Sequence, residues 1–489
     1  MTGAQRLPVP QRTTTGQPRV PLLLALSSLG AVLAPLNSTM IAVALPEIRQ
    51  EFDLSHAAVG WLISGYLIAM AVAQPLGGRL GDQIGRTRVL RTGLLAFLAF
   101  SIAATFAPSF AFLVVFRIGQ AIAGAVLIPN GMAMLRTMAP PDQLGRLNGL
   151  NGSILSAAAA AGPLLGAAAL AMGSWRLVFP LSVPLVLVAL VLLQRFHIHE
   201  ERGPARTPID WAGTALFVGL LTAVTLQLAS LREGDGAVET VLRWAALVAL
   251  ALAFAWRQYV TTSPAAEWRL FRVRSFAASS AWILLTNLSM YTTLLMIPFF
   301  VRDVQGKSTE VAGLLLGAMS VLVAITSPFG GHLSDAWGRR PLALIGSALA
   351  FGGSLVLLLG LSSGVSAFYL AFSLAMVGVG LGLGIGAATT AAIESAPAMF
   401  AGAASGTSSM MRYAGSILGA GALAGVLRDG GSGAADVDTF RLVALAVVIT
   451  AALAVAASVF IHRFVAQPIV AVGDSDPGTA MASRGAAAR

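Results

Sequence analysis

The chain has 489 residues, of which 56% are hydrophobic and 11% charged, and its formal net charge is +10. A soluble domain carries about 25% charged residues, so this composition excludes a soluble globular protein and favours one solvated by lipid. The absence of cysteine excludes disulfides, thiol catalysis and cysteine metal sites. The arginines are scattered singly between apolar runs, so the positive charge predicts no nucleic-acid partner.

Fourteen apolar segments are long enough to cross a bilayer, for which a helix needs about twenty residues. The segment that begins at Val20 is too long for a signal-peptide core, so it is predicted to remain as the first helix behind a polar cytoplasmic tail at 1–19. The tail at 464–489 is rich in Gly, Ala, Ser, Asp and Pro and is predicted to be disordered. The predicted spans are 20–45, 57–80, 89–107, 110–135, 147–172, 176–194, 209–231, 239–258, 275–301, 310–334, 341–361, 365–393, 401–427 and 440–462.

The distribution of basic residues predicts the orientation of the chain. If the N-terminus lies inside, the inside tails and loops hold 20 of the 31 basic residues and the outside loops hold eight. Positive charge is favoured on the cytoplasmic side, so both termini are predicted to be cytoplasmic. Lysine occurs only at Lys307, a bias typical of GC-rich bacteria, and the predicted location is a bacterial cytoplasmic membrane.

An internal repeat divides the chain. The segment Gly77–Arg86 recurs as Gly330–Arg339, 253 residues later, with Gly, Gly, Leu, Asp, Gly and Arg in common. A weaker match at the same offset joins Gly162–Ala167 to Gly415–Ala420, although other glycines of these helices prefer a different offset. Parallel halves of six helices are a transporter architecture.

The repeat predicts the domain organisation of an all-α polytopic membrane protein. Two six-helix bundles are expected at 20–195 and 275–463, and the two helices left over form an inserted pair at 209–258.

The repeated segment predicts a conformational latch. Glycine permits a tight turn and a close helix contact, and an aspartate at a helix end can hold arginines or a facing helix N-terminus. Ordinary basic loops would explain the arginines but not the fixed aspartate and glycines. The candidate latch residues are Gly78, Asp82, Gly85, Arg86, Gly331, Asp335, Gly338 and Arg339.

Several motifs resemble those of a known family. Gly78–Arg88 resembles the signature loop of the major facilitator superfamily, and Phe116–Gln120 resembles the arginine motif of its fourth helix. Gly162, Pro163 and Gly166 are similar to the antiporter motif of its fifth helix.

Two further segments narrow this resemblance. Leu36–Pro46 resembles the first-helix motif of the fourteen-helix drug:proton antiporter family, and Pro208–Gly213 resembles the segment that opens the inserted pair in that family. The resemblance runs from Val20 to Arg463. It implies the major facilitator fold, with a central cavity between two six-helix bundles and alternating access.

The same resemblance implies export of hydrophobic or amphipathic compounds in exchange for protons. The expected partners are a small-molecule substrate and membrane lipid, a monomer is expected, and the proton gradient takes the place of a cofactor. No Walker loop is present to support ATP drive, and the five scattered histidines predict no metal site. An enzyme would need a polar catalytic cluster at a membrane face, and the sequence contains none.

The first helix departs from the family pattern. The family aspartate, a favoured proton carrier, is replaced by Asn37, and an amide does not titrate. Asn37 and Arg117 lie about 12 Å and about 10 Å from the outer ends of their helices, so they are predicted to meet. Arg117 is then incompletely neutralised, or it has a structural role on helix carbonyls. The departure favours an alternative function, a translocase for lipid or amphipathic metabolites or an uncoupled facilitator.

Two other charged residues are substrate or coupling candidates. Glu394 is the acidic residue predicted to lie deepest, close to the inside end of its helix, where it either carries protons or is open to water. Arg412 lies about 16 Å along its helix and suits an anionic head group or a carbonyl-rich substrate, or it bonds neighbouring helices.

Overall fold

The computed structural model of the protein is helical and describes residues 20–139, 144–195, 210–229, 237–261, 268–397, 400–426 and 437–463. The predicted tails at 1–19 and 464–489 lie outside these residues. The helices are α1 (Val20–Glu51), α2 (His56–Ile84), α3 (Arg86–Thr105), α4 (Phe110–Ala125), α5 (Leu127–Met138), α6 (Leu144–Ala171), α7 (Val183–Arg195), α8 (Trp211–Ala229), α9 (Ala237–Val260), α10 (Arg274–Phe299), α11 (Thr309–Trp337), α12 (Arg339–Gly360), α13 (Ala367–Glu394), α14 (Ala401–Val426) and α15 (Val437–Ser458).

Each of the fourteen predicted spans coincides with helical structure, and α4 and α5 together form the fourth. Within the described ranges, twelve stretches are long and apolar enough to cross a membrane. The two remaining segments are α6, of which only Ala157–Ala171 is a shorter apolar helix, and α14. Both are rich in Gly, Ala and Ser, and such small residues are the ones that let membrane helices approach closely.

Equivalent helices pair in the same way before and after the inserted pair. In the N-terminal half, α1 packs on α6, and α4 packs on α2 and α3. In the C-terminal half, α10 packs on α14, and α13 packs on α11 and α12. The pairing of helices therefore follows the repeat seen in the sequence.

The register of the repeat changes within each half. Gly162 lies against the Leu36 carbonyl of α1, and the residue in the same place against Leu288 of α10 is Gly419, 257 residues after Gly162. The predicted pairing of Gly162 with Gly415 is therefore wrong by four residues. The extra residues fall in α12 and in the loop after it, each two residues longer than its counterpart. Gly415 lies four residues before Gly419, which is close to one helical turn, so both glycines face α10.

Glycine provides the closest contact between α11 and α13. A Cβ atom on Gly330 would lie 2.6 Å from the carbonyl oxygen of Leu383, a distance that side chains do not tolerate. The adjacent Gly331 has no atom within 4 Å of the same position. Gly330 is thus required by packing, whereas Gly331 leaves space on the other side of the helix.

The alternating glycines of α13 serve three neighbouring helices. Cβ atoms on Gly378, Gly380 and Gly384 would collide with Met319 of α11, Gly346 of α12 and Trp282 of α10. This run therefore packs α13 tightly against all three helices.

We predict that Gly330→Ala destabilises the protein by about 1–3 kcal/mol, because the added methyl group overpacks a backbone contact. Gly331→Ala is the matched control and leaves stability unchanged or slightly higher, since alanine favours helix over glycine by about 0.5–1 kcal/mol. The thermal midpoints of the two variants in detergent, followed by size-exclusion chromatography, measure the difference. Equal midpoints would contradict the assigned contact.

The inserted pair is fixed by a charged contact at one end. Arg257 of α9 donates to both carboxylate oxygens of Asp210, from Nη2 at 2.8 Å and from Nε at 3.0 and 3.3 Å. Asp210 also caps α8 by accepting from the Gly213 amide at 3.0 Å. The hydrogen bond from Arg257 lowers the pKa of Asp210 below its ordinary value. The apolar stretch of α9 is otherwise not buried against the rest of the described chain.

Asp210→Asn is expected to lower the thermal midpoint by a small amount at pH 7. A carboxylate whose pKa is lowered by folding stabilises the protein above its unfolded pKa, near 3.8, and loses this effect as the pH falls through the folded value. The difference between wild type and variant should therefore shrink as the pH is lowered below 3.8. Glu239→Gln, which changes an exposed pair within α9, is the control. A difference that is independent of pH would refute the prediction.

Candidate functional site

The two halves are joined by charged side chains at the end of the bundle opposite the repeated motif, here called the opposite end. Asp303 lies in a π-helical turn, Phe300–Val304, that follows α10. Its carboxylate accepts from Arg49 Nη2 of α1 at 3.1 Å and lies 3.2 Å from His56 Nε2 of α2. The Asp303 side chain is only 9% exposed, so this ion pair is shielded from water.

A second set of contacts occupies positions related to the first by the repeat. Arg302 donates to Gln50 Oε1 at 2.9 Å, and Thr309 donates to Glu47 Oε1 at 2.7 Å. The repeat offset of 253 residues relates Arg302 to Arg49, Asp303 to Gln50, and Thr309 to His56. Contacts between equivalent residues lie about a two-fold axis. The seven residues of the two sets are here called the clasp: Glu47, Arg49, Gln50, His56, Arg302, Asp303 and Thr309.

The antiporter motif packs beside this axis. Cβ atoms on Gly162 and Gly166 would collide with Thr39 and Met40 of α1, so α6 lies backbone-close to α1. On its other side, the carbonyl of Pro163 lies 3.1 Å from the Cβ position of Gly313 on α11. The structure therefore places this motif at the contact between the two halves.

Further along the axis the two halves meet through hydroxyl groups. Ser38 of α1 and Tyr291 of α10 lie 253 residues apart, and their oxygens are 3.1 Å apart. Ser416 and Arg412 of α14 are both close enough to Tyr291 to interact with it electrostatically.

Arg117 is buried beside Asn37, but their side chains do not bond directly. Arg117 Nη1 donates to Gln120 Oε1 at 2.6 Å, and its Nη2 lies 3.4 Å from the backbone oxygen of Asn37. Gln120 Nε2 in turn donates to Ser101 at 2.8 Å and lies 3.4 Å from Asn37 Oδ1. The guanidinium carbon lies 4.1 Å from the ring centroid of Tyr66, a cation–π contact.

The charge of Arg117 lacks an acidic partner in the described part of the chain. Its side chain is 1% exposed, Nε has no hydrogen-bond acceptor, and Nη1 and Nη2 contact neutral oxygens. The predicted meeting of Asn37 and Arg117 thus takes place through a backbone carbonyl and through Gln120. Gln120 was not singled out from the sequence, although it belongs to the same five-residue motif.

Arg412 faces the space between the halves. On α14, Gly415 and Gly419 approach α10, and Ala424 approaches Gly60 of α2. Arg412 lies between these two faces, one turn before Ser416, and it is exposed. Because Tyr291 is buried just beside it, this exposure marks the point where the closed part of the axis ends.

The motif residues lie at the other end of the bundle, which we call the motif end. Gly85 and Gly338 have φ of 103° and 95°, a conformation that favours glycine, and each joins two helices. In the N-terminal half, Arg86 bonds Asp82 at 3.0 Å and the Ala133 carbonyl at 3.0 Å.

The C-terminal copy of the motif includes Glu394. Arg339 bonds Asp335, and its Nη2 and Nε donate to the two oxygens of Glu394 at 2.9 and 3.2 Å. The structure therefore places Glu394 on the latch arginine of its own half, whereas Asn37, Arg117 and Arg412 lie near the axis. Among the described residues, no group of three His, Cys, Asp or Glu is placed to hold a metal ion.

The fold and the site together define a helical membrane protein of two related halves that meet on an axis. The family model of the Major Facilitator Superfamily matches residues 27–420. The chain belongs to the Major Facilitator Superfamily. Its members are transporters, so the predictions of family and of a transporter that is not an enzyme are confirmed.

Related proteins share much of the chain. It is 32% identical over 390 residues to the uncharacterized MFS-type transporter YvkA of Bacillus subtilis, covering 80% of this chain and 87% of that protein. It is 31% identical over 410 residues to the multidrug resistance protein Stp of Mycobacterium tuberculosis, covering 83% and 75%. It is 30% identical over 332 residues to the tetracenomycin C resistance and export protein of Streptomyces glaucescens, covering 67% and 61%.

Solved structures share the fold at low sequence identity. The D-xylose–proton symporter matches with a TM-score of 0.64 and 15% identity over 92% of this chain and 98% of that one. A bacterial homologue of the human lysosomal transporter Spinster, in an inward-facing and unoccupied conformation, matches with a TM-score of 0.59 and 18% identity, covering 91% and 96%.

We predict that Asp303→Asn opens the opposite end. The substitution removes the charge that holds Arg49 and His56, and a hydrogen bond to a charged group contributes about 1.5–3 kcal/mol, which corresponds to about tenfold or more in the open population. The chain lacks cysteine, so Ser109→Cys and Ser363→Cys, in exposed positions at the opposite end, can carry a pair of spin labels. Pulsed electron paramagnetic resonance should show a larger population at long distance.

Asp438→Asn is the control for the clasp. Asp438 is 74% exposed and pairs with Arg441 on the same helix, so its loss should leave the label distances unchanged. A distribution that is identical in wild type and Asp303→Asn would show that the clasp does not hold the halves together.

Proposed function

We propose that the protein exports hydrophobic or amphipathic small molecules by alternating access and that the proton gradient drives this export. The observation that carries the proposal is the state of the axis. The clasp joins the halves at the opposite end, and the exposure of Arg412 marks an accessible region nearer the motif end. A site open towards one end and closed at the other is what one state of an alternating-access transporter requires.

The names of two relatives support the direction of transport. One is a tetracenomycin C resistance and export protein, and the other is a multidrug resistance protein. The proposed substrate class, drug-like amphipathic compounds, rests on these names and on the sequence motifs.

The proposed topology has fourteen transmembrane helices with both termini in the cytoplasm of a bacterium. It adds α6 and α14 to the twelve stretches that are apolar enough to cross a membrane. Each of the two helices runs alongside the first helix of its half and makes the most extensive contact with it, so a short interfacial position would remove that contact from α1 and α10. In this topology the motif end is cytoplasmic and the clasp lies outside.

Asn37 bears on whether transport is coupled to protons. Its amide accepts from Gln120 and donates to the Leu33 carbonyl, and it carries no titratable proton. This observation favours the second candidate, an uncoupled facilitator or a translocase for lipid or amphipathic metabolites. The two candidates differ in whether a pH gradient drives accumulation.

We predict that vesicles containing the wild-type protein accumulate a fluorescent amphipathic drug when a pH gradient is imposed. For the exchange of one proton per molecule, each pH unit contributes about 1.4 kcal/mol, or about tenfold in accumulation. Accumulation that collapses with a protonophore supports the antiporter. Transport that only equalises the concentrations, with or without the gradient, would decide for the facilitator.

Asn37→Asp tests whether the replaced aspartate is the missing coupling group. If the wild type is uncoupled, the variant should gain accumulation that depends on pH, because a carboxylate beside Arg117 can bind and release a proton. Asn287→Asp is a matched control, since Asn287 also lies on the first helix of a half and donates to the carbonyl four residues before it. A gain in both variants would remove Asn37 from the argument.

A further inference from the structure

We propose that the central site selects substrates that carry an anionic group, a carboxylate or phenolate on an aromatic or amphipathic body, and that Arg412 contacts this group. The proposal rests on the export function above and adds the chemical class of the substrate.

The central site carries positive charge. Arg117 is buried with Nε unpartnered, and its other nitrogens contact only neutral oxygens. Arg412 has no carboxylate within ion-pair distance in the part of the chain that the structure describes. Away from water the field of such charges is weakly screened, so the region attracts anions and repels cations.

The described carboxylates lie too far along the bundle to neutralise this region. Asp82, Asp335 and Glu394 belong to the two latches at the motif end, where each bonds an arginine. Glu47 and Asp303 belong to the clasp at the opposite end. The stretch of the axis between them therefore carries two arginines and neutral polar groups.

Arg412 is accessible. Its side chain makes no hydrogen bond in the described structure, and it is exposed on the face of α14 between α10 and α2. A structural arginine would instead bond helix carbonyls, as Arg86 does with Ala133. A free guanidinium offers a planar fork of donors, which matches the two oxygens of a carboxylate.

Tyrosine rings lie beside the two arginines. Tyr66, Tyr291 and Tyr413 lie close enough to one another to interact electrostatically, and Tyr413 packs against the apolar cluster that contains Tyr66. Tyr66 and Tyr291 are buried, whereas Tyr413 is half-buried and provides apolar surface for an aromatic body while the charged group meets the arginine. An anionic aromatic or amphipathic compound satisfies both features, whereas a cation would meet two unneutralised arginines.

The test uses three probes with one apolar body: pyrenebutyric acid, pyrenebutanol and pyrenebutylamine. The full-length protein is placed in nanodiscs of phosphatidylcholine, and binding is followed by the quenching of its eight tryptophans. We expect the acid to bind at least about tenfold more tightly than the amine, with the alcohol between them. Equal affinities for the acid and the amine, or a tighter amine, would overturn the proposal.

Substitution of Arg412 locates the selectivity. Arg412→Gln should weaken acid binding by about tenfold and leave alcohol binding unchanged, which also shows that the site is intact. Arg441→Gln, which removes one arginine near the start of α15, should change neither affinity. Acid binding that is unaffected by Arg412→Gln would assign the arginine a different role.

Arg412→Lys decides the matter if the glutamine variant does not fold. It keeps the charge but loses the fork, so acid affinity should fall by about threefold or more while alcohol affinity stays the same. An unchanged acid affinity would overturn the proposal.

Flux of the same probes separates this inference from the export function. If the acid binds selectively through Arg412 but no probe is transported, the export function fails and the selectivity stands. If all three probes are exported at equal rates, the export function stands and the selectivity fails.

Discussion

Backbone contact at glycine holds the helices of each half together. Lipid is as apolar as the helices themselves, so helix association depends on close packing and not on a hydrophobic gain. Gly162 of α6 against α1 and Gly419 of α14 against α10 make equivalent contacts, and Gly330 of α11 makes one against α13. Such contacts leave little room for displacement of one helix against another within a half.

The surface between the halves also contains glycine contacts, such as Gly313 against Pro163, but polar side chains form much of it. The clasp combines an ion pair with neutral hydrogen bonds, and Ser38 meets Tyr291 further along the axis. Single hydrogen bonds and ion pairs contribute small net free energies, so they can break and reform as the halves move. The same axis concentrates positive charge at Arg117 and Arg412, away from the carboxylates at either end.

Much of the fold followed from local patterns in the sequence. The apolar runs predicted every helix, and Gly77–Arg86 with its second copy identified the two halves, because hydropathy and short motifs are local properties. The register of the second half did not follow, since the four extra residues before α13 are spread over a helix and a loop. The limits of the spans also differ, because helix ends extend past the hydrocarbon into water.

The site was predictable only in part. Depth along two helices brought Asn37 and Arg117 together, yet the bridging role of Gln120 depends on side-chain directions that depth does not give. Glu394 was the deepest acid by position, but its bidentate bond to Arg339 is a contact between two helices. The clasp joins residues about 250 positions apart, and only the two-fold relation of the halves could have pointed to it.

The inserted pair has a mechanical consequence. α8 packs on α14 of one half and on α2 of the other, and Leu228 lies against Gly421 of α14. A helix that touches both halves cannot follow both when they rotate against each other. It travels with one and slides on the other. The pair therefore acts as a strap across one side of the molecule, and its stiffness limits how far the halves can swing.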